Sequence, residues 1–486
     1  MDRPLPPSGK IGWQLFEQTT FRKPISLSQM IFNQHAFIFV FLPIVLAAFY
    51  FPPFRRLRVY LLVGASFIFY GLSGVEHAIT LAAGIVWVYL TARSPAIVGS
   101  KRRLILAIVP PLLALFYYKY LGFFIESVLG LEAGQESEVF NLFQDIILPA
   151  GISFFTFQLV SFAIDRFRGD LPEPPDFGRF ALYISFFPQL VAGPILRYRQ
   201  VTGALGRLTR FRLSSEAASA AIGYLCLGLA AKVLIADTLG AYQSAYVIAP
   251  GSLSIFSALY VLFAYSFQIY FDFYGYSLIA IGLGRLFGFE FPMNFKRPYE
   301  ALNPRDFWRR WHITLSYWIR DYLYLPLDGN QRYTRNILIV FGICGLWHGA
   351  GWTFVIWGLF HGGLVIAYHF GRGPWDTLPY ILQRGLTFGL VSLGWILFIF
   401  DFSGIQAFLW SLIGQSEVGV PNPSLEAWLG LLVAALICFG VNFEKTAENL
   451  TRHTVTANVR TTMFAILFVV TLLFVDRSQT FIYFRF

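Results

Sequence analysis

From about residue 36 onward the chain alternates long apolar runs with short polar connections. The runs occupy about 36–51, 57–72, 78–92, 103–127, 145–164, 180–196, 217–235, 254–287, 336–371, 385–402, 427–442 and 461–476. A helix needs about 20 residues to cross the hydrocarbon core, with about 17 to 25 as the usual range. Several runs are shorter, and two, 254–287 and 336–371, are long enough for a broken pair. The pattern predicts an all-α polytopic integral membrane protein with about ten to thirteen helices at membrane depth, some of them re-entrant. Re-entrant backbone survives at that depth only where protein or a water-filled cavity covers it. Pro149, Gly151, Pro188, Gly193 and Pro194 mark the expected breaks.

The polar connections lie near 128–144, 165–179, 197–216, 288–335 and 443–460, and none is long enough for a separate globular domain. Residues 30–486 therefore read as a single membrane domain. Residues 1–29 read as a polar, basic extension without the apolar core of a signal peptide, and Met30 is an alternative start. No internal repeat of the kind many transporters carry is evident. Basic residues fall in loops of both parities, so charge gives no orientation.

Composition sharpens this picture. Only 13% of residues are charged and 56% are hydrophobic, whereas a soluble domain carries about 25% charged residues. The deficit runs through the whole length, which excludes a soluble domain on one anchor. Aromatics make up 19% of the chain, which suits an acyl-accommodating interior as well as interfacial belts. The net charge of +10 is spread over short loops, so anionic lipid headgroups fit better as partners than nucleic acid. Cys226, Cys344 and Cys438 all lie in apolar runs without a Cys-x-x-Cys. Neither a disulfide framework nor a metal site is indicated, and no bound cofactor is expected.

Against that background His348 stands out. It sits in Gly-Leu-Trp-His-Gly-Ala-Gly-Trp between two long apolar stretches, and an ionisable residue at membrane depth is a functional-site candidate. Trp347, Trp352 and Trp357 are expected to crowd it, and Gly345, Gly349 and Gly351 to permit close backbone approach. Burial disfavours the charged form of an imidazole, and a neutral imidazole can accept a proton from a hydroxyl. A histidine hydrogen-bonded between helices is the alternative. His361 lies 13 residues further on. On a continuous helix that is about 20 Å of rise and about 220° of rotation, so it faces away from His348 unless the chain breaks at Gly349–Gly351. His361 and His369 read as packing residues, and His35, His77 and His453 as interfacial ones.

Residues 304–326 differ from the rest. Phe307, Trp311, Leu315, Trp318 and Tyr322 are spaced by 4, 4, 3 and 4, which places them on one helical stripe. Arg309, Arg310 and Arg320 flank it, Pro304 fits a first turn and Pro326 an end. The segment reads as one amphipathic helix in an interface or at a funnel mouth, with His312 at the boundary of its two faces. His312 is either a reaction-centre residue or an interfacial histidine. Asp272, with Gln268 four residues earlier, could orient a histidine, bind a cation or hydrogen-bond another helix. Gln158, Asp165, Arg166, Gln189 and Arg197 look like helix-joining groups.

Four segments together resemble the membrane-bound O-acyltransferases, in their bacterial polysaccharide-acetylating branch: Phe-Phe-Pro-Gln-Leu-Val-Ala-Gly-Pro-Ile (186–195), Gln-Ile-Tyr-Phe-Asp-Phe-Tyr-Gly-Tyr-Ser (268–277), Asp-Phe-Trp-Arg-Arg-Trp-His (306–312) and Leu-Trp-His-Gly-Ala-Gly-Trp (346–352). The resemblance implies a ring of helices around a thinned centre crossed by a tunnel. It implies His348 as the main catalytic residue and His312 as its companion, with Trp347, Trp352, Gln268, Asp272, Arg309 and Trp311 lining or supporting the site. The last six residues, Phe-Ile-Tyr-Phe-Arg-Phe, resemble the aromatic end of a small partner protein in bacterial D-alanylation, which makes Tyr483 a candidate acyl relay; an interfacial anchor is the alternative.

The expected function follows: acetyl moves from a cytoplasmic thioester, acetyl-CoA or another, across a bacterial inner membrane to an exported polysaccharide such as alginate. The resemblance implies a periplasmic partner, an esterase-like transferase of the SGNH/GDSL type. The rival class is a transporter using His348 and Asp272 as a proton relay.

Overall fold

The structure is a computed structural model describing residues 31–127, 130, 147–448, 454–477, 479, 481 and 482. Among these every regular element is a helix or helical turn. The extension 1–29, Met30, His453 and Tyr483 lie outside the described residues.

Among the described residues six helices are long and apolar enough to cross a membrane: Val75–Ala92, Lys101–Ser127, Ser215–Val247, Ile255–Leu286, Trp352–Phe370 and Tyr380–Ile399. A seventh candidate is the pair Ala36–Tyr50 and Pro52–Gly71, bent by 96° at Phe51. Leu425–Gly440 and Thr461–Phe474 are shorter apolar helices. By length and composition this is fewer than the ten to thirteen suggested by the apolar runs, because several runs are taken up by short helices and turns. The run 180–196 is an example: it folds into Phe177–Ser185, the single turn Phe187–Leu190 and a loop.

The two longest runs behave differently from each other. The run 254–287 is one continuous helix of 32 residues, Ile255–Leu286, and not a broken pair. It holds no proline, and Ser254 caps its start by accepting from the Ser257 amide. The run 336–371 does break, into Tyr333–His348 and Trp352–Phe370. These two helices pack tightly because of a glycine on each: a Cβ at Gly345 would overlap the Phe354 carbonyl, and one at Gly358 would overlap the Phe341 carbonyl.

The long helix Ile255–Leu286 is buried over most of its length and forms the centre. Ser215–Val247 runs antiparallel along it, with Gly228 and Gly275 so close that a Cβ on Gly275 would stand 2.7 Å from the Gly228 carbonyl oxygen. Peripheral helices instead turn large apolar side chains outward, among them Tyr60, Ile68, Ile79, Leu113, Leu436 and Ile466. Apolar surface on that scale is stable against lipid and not against water. Breaks fall at several expected glycines and prolines. Gly151 starts Ile152–Arg168 with φ 75°, and a Cβ there would meet the Leu190 carbonyl at 2.5 Å.

Candidate functional site

The central segment is not one amphipathic helix. It forms two short helices, Pro304–Arg310 and Ile313–Ile319, followed by a π-helical turn, Arg320–Tyr324. The predicted stripe is real, since Phe307, Trp311, Leu315, Trp318 and Tyr322 are all buried. It faces protein, however, and not an interface. Long-range pairing breaks the helix: the Lys296 amide donates to the Arg310 carbonyl at 3.0 Å, and the Ile313 amide to the Asn294 carbonyl at 2.9 Å. His312 lies between these two bonds with φ 43° and ψ 53°, and is fully buried. A non-glycine residue there sits in the left-handed region, which side chains rarely adopt. Strain of this kind persists only where its surroundings enforce it, and it clusters at functional sites.

The loop 186–195 is tied to the same place. Thr314 donates its hydroxyl to Asn294 Oδ1 at 2.6 Å and accepts from the Ile195 amide at 3.0 Å. Gln158 and Gln189 exchange side-chain hydrogen bonds at 3.0 and 3.3 Å. Tyr322 donates to Asp165 at 2.7 Å, and Arg197 pairs with Asp321 at 2.6 Å. Burial opposes the charge of Asp321, but the Arg320 and Arg197 guanidinium groups hold its carboxyl below the usual range. These polar groups join helices, as the sequence suggests.

His348 is the last residue of Tyr333–His348 and is buried. Its ring lies 4.9 Å from that of Trp347, 5.0 Å from Trp357 and 5.5 Å from Phe398. Trp347 also lies 6.0 Å from His312, so one indole stands against both imidazoles. Phe273 covers another side of His312, at 4.7 Å. Segments more than thirty residues apart in sequence thus meet in one aromatic enclosure.

Other expected members are distributed differently. Trp352 is 51% exposed and packs on Phe123 at 5.5 Å. It does not crowd His348, because it opens the second helix beyond the break. Trp311 is buried against Phe295 and Trp395, each at 5.0 Å. Arg309 is exposed on the opposite face. Gln268 accepts from Gln243, and Asp272 pairs with Lys232 at 2.6 Å, so neither orients a histidine. His361 does not face away. The chain breaks after His348, the condition under which the sequence allowed this, and Trp357, one turn before His361 and 4.8 Å from it, packs on His348 at 5.0 Å. His77, at the start of the span Val75–Ala92, is buried, with Glu76 3.7 Å away.

Lys119 was not singled out by the hydropathy pattern, although a lone lysine inside the run 103–127 is the kind of signal that could have found it. It sits in a π-helical turn, Phe116–Tyr120, and is buried. Its Nζ donates to the Trp347 carbonyl at 2.5 Å and the His348 carbonyl at 3.2 Å. A helix leaves its last carbonyls without internal partners and carries partial negative charge there. Lys119 supplies both a donor and a positive charge at the end that carries His348. Between the Ile313–Tyr324 segment and the His348 helix lies a cavity of about 190 Å³, lined mostly by apolar side chains, with Arg320 on its wall and Cys344 one turn before His348. Among the described residues no His, Cys, Asp and Glu cluster could hold a metal ion.

Helices that carry apolar surface outward and a buried histidine pair inward define a multi-pass membrane protein with an enclosed site. The sequence model of the membrane-bound O-acyltransferase family matches residues 106–372. The chain is 38% identical over 381 residues to a probable alginate O-acetylase of Pseudomonas syringae, covering 76% of this chain and 72% of that protein. It is 34% identical over 442 residues to a peptidoglycan O-acetyltransferase of Helicobacter pylori, covering 82% of each. A teichoic acid D-alanyltransferase of Streptococcus thermophilus is 28% identical over 355 residues, 68% of this chain and 81% of the relative. The chain belongs to the membrane-bound O-acyltransferase family and is a multi-pass membrane O-acyltransferase.

Proposed function

We propose that the protein transfers acetyl from a cytoplasmic thioester, acetyl-CoA or another, across a bacterial inner membrane for O-acetylation of an exported polysaccharide. The observation that carries this reading is the pair His348 and His312, both buried and both against Trp347. In this mechanism His348 takes the proton of the accepting hydroxyl as general base. The oxygen attacks the thioester carbonyl, the carbon–sulfur bond breaks, and the departing thiolate takes up a proton. His312 orients or stabilises the charge that develops. The mostly apolar cavity beside Cys344 suits an uncharged portion of the donor. The names of the relatives favour a polysaccharide acceptor, alginate or peptidoglycan among the candidates. A periplasmic esterase-like transferase of the SGNH/GDSL type would make the final transfer, and Tyr483 is the candidate carrier between the two.

The transporter reading is weakened at its second residue, since Asp272 pairs with Lys232 at 2.6 Å and not with a histidine. The test is the O-acetyl content of exported polysaccharide in a deletion strain complemented with wild type or His348→Ala at matched protein levels. Loss of acetyl groups, by at least about 100-fold on the scale of a lost general base, with normal polymer export is the expected result. Wild-type acetylation would remove His348 from the mechanism.

A further inference from the structure

Away from the histidines lies a second group of buried charges. Lys232 Nζ stands 2.6 Å from Asp237 Oδ1 and 2.6 Å from Asp272 Oδ1. All three side chains are within a few per cent of full burial. The local backbone explains how they meet. Ala231–Ala236 is π-helical, and the Asp237 amide donates to the Lys232 carbonyl five residues back, which brings both side chains to one face. Asp272 comes from the long helix, brought close by the Gly228–Gly275 contact.

Two carboxylates share one ammonium, which leaves acceptor capacity in a place water does not reach. A buried charge is tolerated only when its remaining lone pairs are also hydrogen-bonded. The extra donor comes from the far end of the chain: the Ile482 amide donates to Asp272 Oδ2 at 2.8 Å. Described residues before Ile482 follow the same path. Phe481 is buried, stacks on Tyr276 at 4.6 Å and touches Phe273 at 5.7 Å. Phe273 in turn lies 4.7 Å from His312. Further back, a Cβ on Gly240 would meet Gln479 Oε1 at 2.9 Å.

We propose that the Lys232–Asp237–Asp272 cluster is a socket for the chain's own C-terminal segment, and that seating Phe481 and Ile482 in it is required for acyl transfer at the neighbouring histidines. The second half rests on the acyl-transfer reading above; the first half does not. The cluster and the segment complete one another. Without the Ile482 amide one oxygen of Asp272 is buried without its donor, and without Asp272 the segment has no fixed register beside Phe273 and His312. Asp272 is a positioning residue in this scheme. Tyr483, the proposed carrier, is the next residue in the sequence after Ile482.

The test uses the full chain in lipid nanodiscs. Ile482→Pro removes the one donating N–H and leaves the cluster intact, and Asp272→Asn removes the acceptor charge. Trimming by carboxypeptidase Y is followed by intact mass, and polymer O-acetylation is followed in cells. Wild type should resist removal of residue 482, and both variants should lose residue 482 at least tenfold faster. Acetylation should fall at least tenfold in each, with no further loss in the double variant. If Asp272→Asn fails to fold, Ile482→Pro decides alone. Equal trimming of wild type and Ile482→Pro would overturn the socket. Faster trimming with wild-type acetylation would overturn the requirement for it. A wild type that loses no acetylation when His348 is replaced would fail the acyl-transfer reading while trimming still decides the socket.

Discussion

At His312 the backbone and the side chain pull in different directions. Its left-handed conformation is held by the Lys296–Arg310 and Ile313–Asn294 backbone bonds on either side. For an L-residue that conformation is unfavourable by about 1–2 kcal/mol, and asparagine tolerates it better than most. His312→Asn should therefore retain the wild-type thermal midpoint, whereas His312→Ala should unfold earlier by a difference on the order of 1 kcal/mol. Both should lose acetylation, which thermal melting in detergent and polymer O-acetyl analysis would separate. Equal activity of either variant and wild type would take His312 out of the reaction centre. At Lys119 the expectation is different, because the side chain acts through the helix end that carries His348. Lys119→Met should lower kcat by about tenfold or more, the scale of a lost charge-assisted hydrogen bond, and leave KM for the donor nearly unchanged. Lys119→Arg should recover part of the loss. A change in KM alone would place Lys119 on the substrate path instead. His348 and His312 were legible as candidates because ionisable residues in apolar surroundings are conspicuous. Lys119 is equally conspicuous by composition, but nothing in the sequence links it to a carbonyl 228 residues away.

Among the elements, the hairpin of Tyr333–His348 and Trp352–Phe370 shows how small residues set a site. Gly345 and Gly358 each lie against a backbone carbonyl of the other helix, so a side chain cannot be accommodated by rotamer change alone. Gly345→Val or Gly358→Val should destabilise the protein by about 1–3 kcal/mol or more, as overpacking does, and abolish activity with both histidines present. Gly363, with no atom within 4 Å of a built Cβ, is the control. Gly363→Ala should be neutral or stabilising by up to about 1 kcal/mol. If the two kinds of variant melt alike, close helix approach is not what holds His348. The break in this hairpin was readable from Gly-Ala-Gly after His348, and it is what returns His361 to the histidine region. The central segment was misread for a physical reason. A helical stripe records which residues are buried, but burial of all five positions in Phe307–Tyr322 is as compatible with two short helices inside the protein as with one at its surface.

Considered as a whole, the molecule surrounds a buried polar centre with helices whose outer faces are apolar. Its C-terminal residues 481 and 482 return to that centre, over two hundred positions from the aspartate they meet. Tyr483→Phe should leave folding and export intact and abolish polymer acetylation if the tyrosine oxygen carries acetyl. Normal O-acetyl content in that variant would end the relay idea and leave the terminal aromatics as an anchor.

Hydrophobic periodicity by itself determined the class: a low charged fraction spread over twelve apolar runs leaves only a polytopic helical membrane protein. Local chemistry in the sequence also offered a break after His348 and marked the two histidines as candidates, because glycine and ionisable residues keep their meaning without a partner. Tertiary structure decided what those residues touch. It bent the chain at His312 through hydrogen bonds to Asn294 and Lys296, put Trp347 against both imidazoles, and gave Asp272 to Lys232 and Ile482 and not to a histidine. Such contacts join residues far apart in sequence, and their energies depend on distance and burial, which no local pattern of residues encodes.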